Sequence, residues 1–88
     1  MKRLIVLDTE TTGLDVNDGH RIIEIGCVEI IDRNITSNRF HKYINPKRVI
    51  DEGAQKVHGI SNQMLENKPE FKDIIDEFLS FIHNSILV

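Results

Sequence analysis

The chain of 88 residues has little cysteine, little excess charge and no long apolar run. The single cysteine, Cys27, excludes an intramolecular disulfide, and its apolar neighbours are typical of a small buried thiol. A reducing cytoplasm is therefore the expected location. No segment is long and apolar enough to span a membrane. The net charge of −3 argues against strong nonspecific binding to a polyanion.

The main chemical signal is a pair of acids that follows the first apolar run. Residues 4–7 are all aliphatic, which is typical of a buried strand, and Asp8 and Glu10 come next. Side chains two apart in a strand point to the same side, so both carboxylates should lie together at the strand's end. Two close carboxylates repel unless a cation lies between them, and hard oxygen ligands suit Mg²⁺ or Mn²⁺. The alternative is a solvated strand end before a polar turn.

The first half of the chain predicts three strands. We expect them over residues 2–8, 21–31 and 35–44, with a tight turn at Asp32-Arg33-Asn34 that joins the last two as an antiparallel hairpin. The second strand is apolar on both faces, so we expect it at the centre of the sheet and covered on both sides.

The second half predicts helices. We expect a short helix over residues 52–57, which Gly59 would end, and a second one that Ser61 caps and that runs through Leu65. A longer helix should open at Lys68-Pro69-Glu70, with proline in its first turn. Apolar residues repeat through Ile82 with helical spacing, so Ile75 and Phe78 should be buried against the sheet. Residues 86–88 should begin a fourth strand.

Three segments, in this order, resemble one known family. They are Asp8-Thr9-Glu10-Thr11-Thr12-Gly13, the run 19–29 with Arg-Ile-Ile-Glu-Ile-Gly at its centre, and Val57-His58-Gly59-Ile60. They resemble the DEDD-type 3′–5′ exonucleases, and among these the proofreading (epsilon) subunits of bacterial DNA polymerase III. The resemblance covers the whole chain but stops before the family's second and third motifs.

The resemblance implies an α/β, ribonuclease-H-like exonuclease fold, of which residues 1–88 would be the N-terminal half. This half would hold three antiparallel strands in the order 3-2-1 plus helices, and the next strand would lie parallel beside the first. The implied reaction is proofreading 3′–5′ hydrolysis of DNA with two Mg²⁺ or Mn²⁺ ions. Asp8 would bridge both ions, and Glu10 would bind one of them near the 3′ end.

The resemblance also implies residues that hold the terminal nucleotide. Thr11, Thr12 and their backbone would contact it, as would His58, although a lone histidine is otherwise more typical of a surface or packing residue. Family members carry a further glutamate five residues before this histidine, where the present chain has Gly53. Glu52 would fill that role only after a small shift.

The other three histidines are not expected to form a functional site. His20 and His41 have no acidic or histidine neighbours at metal-ligand spacing, and His83 is expected at a helix C-terminus.

The implied partners are the single-stranded 3′ end of DNA and the catalytic and other core subunits of DNA polymerase III, with no membrane. The general base and two further carboxylates would come from later motifs, so residues 1–88 alone should be inactive. Two alternatives stay open: an RNA-trimming DEDD exonuclease, and a non-catalytic remnant that binds metal or a partner.

Overall fold

The structure is a computed structural model that describes residues 2–13 and 16–88. The strands in these ranges are β1 (Arg3–Thr11), β2 (Ile22–Ile31), β3 (Asn34–Tyr43) and β4 (Ile86–Leu87). They form one sheet in the order β3-β2-β1-β4. The helices are α1 (Glu52–His58), α2 (Asn62–Leu65) and α3 (Phe71–Ile82), with a 3-10 turn at Val16–Asp18. No helix in these ranges is long and apolar enough to cross a membrane.

Strand β1 is longer than the sequence predicted. The prediction ended it at Asp8, but pairing with β2 continues through Glu10, and its register becomes irregular between Glu10 and Thr11. Asp8 therefore lies within the paired strand, and Glu10 is its second-to-last residue. Pairing with β2 overrides the weak strand preference of acidic residues at these positions.

The hairpin between β2 and β3 is confirmed. Asp32 and Arg33 both have positive φ, at 49° and 73°, and Ile31 pairs with Asn34. Positive φ at both central residues is the mark of a type I′ turn, whose twist matches that of the strands it joins. The turn therefore fixes β3 as the antiparallel neighbour of β2, and the predicted order 3-2-1 follows.

A fourth strand, β4, adds to the three antiparallel strands that the sequence predicted. Leu4 and Ile5 of β1 pair in parallel with Ile86 and Leu87. The backbone N–H of Val88 donates to the carbonyl of Ile5 at 2.9 Å. The first part of β1 thus has neighbours on both sides and is not an exposed edge.

One face of the sheet carries the main core. Its buried members are Ile5, Ile25, Cys27, Phe40, Ile44 and Ile74. Burial raises the pKa of the Cys27 thiol, because removal from water disfavours the charged thiolate. A second cluster, of Ile23, Ile50, Ile60 and Leu65, joins the start of β2 to the segments around α1 and α2.

The opposite face of the sheet is covered less than the sequence predicted. Strand β2 is central, as expected, but Val28 and Ile30 remain partly exposed, as does Leu4 on β1. Val6 is 39% exposed. Helix α3 packs on the other side, so only that side of β2 is fully buried.

Helix α3 begins at Phe71, two residues after Pro69, although the sequence predicted Pro69 in its first turn. Glu70 is the N-cap with extended backbone, and Glu70 and Asp73 form a reciprocal capping box. The carbonyl of Pro69 accepts the N–H of Asn45 at 2.8 Å. Pro69 therefore lies outside the helix and ties it to the end of β3, instead of occupying the first turn.

The prediction for the buried residues of α3 is confirmed for Phe78, which packs against the core, and wrong for Ile75. Ile74 is the buried member, whereas Ile75 is only partly buried and Leu79 is 52% exposed. Phe78 is partly buried as well, and its ring centre lies 5.7 Å from that of Phe40. Phe40 of β3 fixes how α3 is rotated on the sheet, and sequence periodicity alone does not.

A buried carboxylate joins the strands. Glu29 of β2 is 2% exposed, and it accepts hydrogen bonds from Arg3 Nε at 2.5 Å, Thr36 Oγ1 at 2.7 Å and Asn38 Nδ2 at 3.0 Å. The hydrogen bond from Arg3, followed by that from Thr36, lowers the pKa of Glu29 and outweighs the loss of hydration. β1, β2 and β3 therefore share one ionised group.

We predict that Ile74→Ala lowers the free energy of unfolding by about 2–5 kcal/mol, because it leaves a cavity in a packed core. Leu79→Ala, in the same helix but half exposed, should cost much less. Urea denaturation of both variants measures the difference. Equal losses would contradict the observed rotation of α3.

We predict that Glu29→Gln destabilises the chain at neutral pH, and that its deficit narrows in acid. The pKa of Glu29 is lowered from its ordinary value of 4.5. Its ionised form therefore contributes stability that is complete above that value and is lost as pH falls through the lower, folded value. Urea midpoints measured at about pH 7 and about pH 3 test this. Glu77→Gln, which removes a surface ion pair with Lys42, is the control. A Glu29→Gln variant with the same loss of stability at both pH values would contradict the prediction.

Candidate active site

The two acids of the first motif lie on the less covered face of the sheet. Asp8 pairs with Gly26, and Glu10 pairs with Glu24, in regular antiparallel register. Because they are two apart in a paired strand, their side chains leave the same face. Asp8 is exposed and Glu10 is partly exposed. One Asp8 oxygen accepts the N–H of Thr9 at 3.0 Å, so both carboxylates keep oxygens that can reach solvent.

A third carboxylate and a histidine extend this face. Glu24 lies directly across from Glu10, and His41 Nε2 lies 2.5 Å from Glu24 Oε2. The histidine thus contacts the carboxylate that faces Glu10 across the two strands. If the strand pairing that starts at Ile31 and Asn34 continued in regular register, His41 would lie directly opposite Glu24. The irregularity between Val28 and Ile30 makes the contact diagonal.

A cleft of about 330 Å³ opens where β1 ends. Its walls include Glu10, Thr11 and Gly13 from β1 and the following turn, His20 from the connection to β2, and Asp51 and His58 at the two ends of α1. Asp8 lies outside it, two residues back along β1. Glu10 therefore joins the carboxylate face to the cleft.

His58 ties the end of α1 to the end of β1. Its Nδ1 accepts the N–H of Ile60 at 3.0 Å, and its Nε2 lies 3.2 Å from the carbonyl of Thr11. This arrangement suits a neutral ring with the proton on Nε2. Gly59 ends the helix with φ 71°, as the sequence predicted. His58 is thus held beside the first motif by contacts that sequence spacing does not show.

The two threonines of the motif differ. Thr11 lines the cleft and donates its hydroxyl to the carbonyl of Gly13 at 2.6 Å. Thr12 is 0% exposed, and its hydroxyl is taken by the N–H of Arg21 at 3.0 Å and by His20 Nδ1 at 2.9 Å. The expectation that the Thr12 side chain holds a nucleotide is therefore corrected, because that side chain points inward.

Glu52 does not reach the cleft either. Its side chain is 88% exposed and lies 3.9 Å from Lys56 Nζ on the outside of α1. Gly53 and Ala54 line the cleft instead. The small shift that Glu52 would need to contact a substrate is absent, because the helix turns its side chain toward solvent.

The chemistry of Asp8 and Glu10 can be compared with what a metal ion requires. Within residues 2–13 and 16–88, no three side chains of His, Cys, Asp or Glu are grouped so as to hold a metal ion. Asp8 and Glu10 nevertheless offer acceptor-only oxygens on one face, which is the chemistry that hard divalent cations require. Further ligands would have to come from outside these ranges.

The sheet order and the parallel fourth strand are those of a ribonuclease-H-like exonuclease fold. The sequence profile described as "Exonuclease" matches residues 5–88, and the chain belongs to this family.

Curated relatives give the same result. The chain is 62% identical over 91 residues to the DNA polymerase III subunit epsilon of Buchnera aphidicola, covering 99% of this chain and 38% of the relative. For the subunit of the same name in Rickettsia prowazekii, the identity is 52% over 86 residues, with 98% and 38% covered. For that of Salmonella typhimurium it is 51% over 90 residues, with 98% and 37% covered. The chain thus spans about two fifths of the length of these relatives.

Solved structures show the same fold. Exonuclease X, solved with 5′-overhanging duplex DNA, superposes with a TM-score of 0.73 at 34% identity, over 85% of this chain and 42% of that one. Escherichia coli exonuclease I, solved with an oligonucleotide, superposes with a TM-score of 0.82 at 16% identity, over 99% of this chain and 20% of that one. At that low identity, the second likeness concerns the fold alone.

We predict that Gly13→Ala strongly destabilises the cleft, whereas Gly53→Ala does not. A Cβ on Gly13 would lie 2.2 Å from Cε1 of His20, and a Cβ on Gly53 would meet nothing within 4 Å. Gly53 is also helical, so alanine there should stabilise α1 by about 0.5–1 kcal/mol. Thermal denaturation and the histidine ring signals in NMR spectra measure both effects. An unshifted His20 signal in Gly13→Ala would contradict the close packing.

Proposed function

We propose that this chain supplies part of the active site of a 3′–5′ DNA exonuclease that proofreads during replication, as an epsilon-type subunit of DNA polymerase III. The observation that carries the proposal is the pair Asp8 and Glu10 on one face of β1, at the mouth of a cleft that also holds Thr11 and His58. The 62% identity to an epsilon subunit supports the assignment to DNA proofreading. Residues 1–88 would be the N-terminal part of the exonuclease domain.

Asp8 and Glu10 would hold two divalent cations, Mg²⁺ or Mn²⁺, together with ligands from the rest of the domain. Such ions, when bound, lower the pKa of water and neutralise charge on a phosphodiester. The acids suit this role because they reach solvent from a strand that β2 holds in register. Their charge, with that of Glu24 beside them, would repel DNA if no cation were present.

The cleft would take the 3′-terminal nucleotide. Thr11 and the backbone that leads to Gly13 form one part of its lining, and His58 adjoins them through its contact with the Thr11 carbonyl. Neither Thr12 nor Glu52 takes part through its side chain. The further partners would be the single-stranded 3′ end of DNA and the core subunits of the polymerase, in the cytoplasm.

To test the proposal, residues 1–88 are fused to the part of the Buchnera relative that follows the aligned segment. We expect this fusion to release the terminal nucleotide from a 3′-mismatched DNA primer in Mn²⁺. Asp8→Ala should abolish release, as should chelation of the metal, because the cations would lose a shared ligand. Asp76→Ala, an exposed acid on α3, is the matched control and should leave the rate unchanged.

The same assay decides between the alternatives. Faster trimming of an RNA primer than of DNA would favour an RNA exonuclease, and no activity on either would favour the non-catalytic reading. The 88 residues alone should release nothing, because they lack half of the family's metal-binding carboxylates and its general base. Release by the isolated chain above its Asp8→Ala variant would contradict that account.

A further inference from the structure

His20 is a buried histidine that the proposed chemistry leaves unused. Its side chain is 5% exposed, although it lies in the connection between β1 and β2, where side chains are usually solvated. Gly19, with φ 70°, precedes it and turns the chain inward. A buried imidazole requires hydrogen-bond partners on its nitrogens. Here they are Thr12, in the turn after β1, and Asp51, which lines the cleft, with Asp18 Oδ2 farther away at 4.0 Å from Nε2.

The first partner is the turn after β1. Arg21 donates its N–H to Thr12 Oγ1 at 3.0 Å, and His20 Nδ1 lies 2.9 Å from the same oxygen. Thr12 has one hydroxyl proton, which satisfies Nδ1 when the ring is neutral with its own proton on Nε2. The ring also packs on Gly13, where it fills the space that a Cβ would need.

The second partner is the start of α1. Asp51 Oδ2 lies 3.3 Å from His20 Nε2. Asp51 is the N-cap of α1, yet its side chain makes no capping hydrogen bond. An aspartate at this position commonly stabilises a helix by accepting a backbone N–H of its first turn. Here the carboxylate faces His20 instead, with Arg48 Nη2 at 3.8 Å.

A backbone contact completes the arrangement. The N–H of Asp51 donates to the carbonyl of Thr12 at 2.8 Å. His20 therefore bridges, through its two nitrogens, the same two residues that this bond joins directly. The resulting ring of contacts sets the distance between the motif turn and the helix that carries His58.

We propose that His20 is a positioning residue for the terminal nucleotide: it fixes the turn Thr11–Gly13 against the start of α1, so that the cleft keeps the shape a nucleotide needs. This inference rests on the proposed function. His20 would act on binding more than on the chemical step, because Asp8 and Glu10 are positioned separately by the pairing of β1 with β2.

A hydroxyl, an imidazole and a carboxylate in a row also suggest a nucleophilic triad. Thr12 is 0% exposed, so its oxygen cannot reach a substrate, and the N–H of Arg21 already occupies it. The row is therefore suited to hold backbone in place and not to attack a substrate.

The test compares His20→Ala with His83→Ala, an exposed histidine at the end of α3, in the fusion used above. We expect His20→Ala to raise KM for the 3′-mismatched primer about 10-fold, in the range seen when supporting residues are removed from a site, with kcat changed less. His20→Asn keeps a partner for Thr12, and His20→Gln keeps one for Asp51, so each should restore part of the loss. If His20→Ala fails to fold, Asp51→Ala replaces it as the test, because the Asp51 side chain is half exposed. This variant should also raise KM.

A second readout does not depend on activity. Amide hydrogen exchange of the 88-residue chain should show protection at Asp51 that His20→Ala reduces and His83→Ala does not. If the fusion is active and His20→Ala leaves its KM unchanged, the inference is overturned and the proposed function still stands. Where His20→Ala does not fold, an unchanged KM in Asp51→Ala has the same consequence. An inactive wild-type fusion would count against the proposed function. Exchange at Asp51 would then still decide the positioning role, and unchanged protection would refute it.

Discussion

A carboxylate buried inside the sheet is the constraint on which the rest of this fold depends. Glu29 cannot stay ionised without compensation, because burial of an unpaired charge is costly. Its hydrogen bonds come from Arg3 of β1 and from Thr36 and Asn38 of β3. Arg3 in turn donates to the carbonyls of Phe81 and His83 at the end of α3, at 2.6 and 2.9 Å. One charge thus holds three strands and the main helix together at one end of the sheet, opposite to the end that carries the cleft.

At the other end, hydrogen bonds to two backbone carbonyls of β1 and its following turn attach the helix α1 to the sheet. The carbonyls of Thr11 and Thr12 bind His58 and Asp51, so both ends of the short helix α1 are attached to the strand that bears the acids. This attachment has a local cost, since the carboxylate of Asp51 is not used to cap its helix. Gly13 is required for the same reason, because the His20 ring occupies the space beside it. Local stability is given up here to fix the shape of the cleft.

The sequence predicted the outline of the fold well, because the signals for it are local. The turn at Asp32 and Arg33, the cap at Ser61 and the helix end at Gly59 each depend on a few adjacent residues, and all three are confirmed. The first motif and its flanks indicated the exonuclease family, and the family match agrees. One of the two buried residues predicted for α3 was wrong. A continuous apolar stripe permits several rotations, and only contact with Phe40 selects one of them.

The sequence by itself determined that the two acids share one face, because residues two apart in a strand point to the same side. The tertiary structure alone decided what surrounds them. It turned Thr12 inward and Glu52 outward, and it placed His20 against Asp51 and His41 against Glu24. The reason is physical. Alternation along a strand follows from the backbone, whereas these contacts join residues far apart in the chain, and no local pattern specifies them.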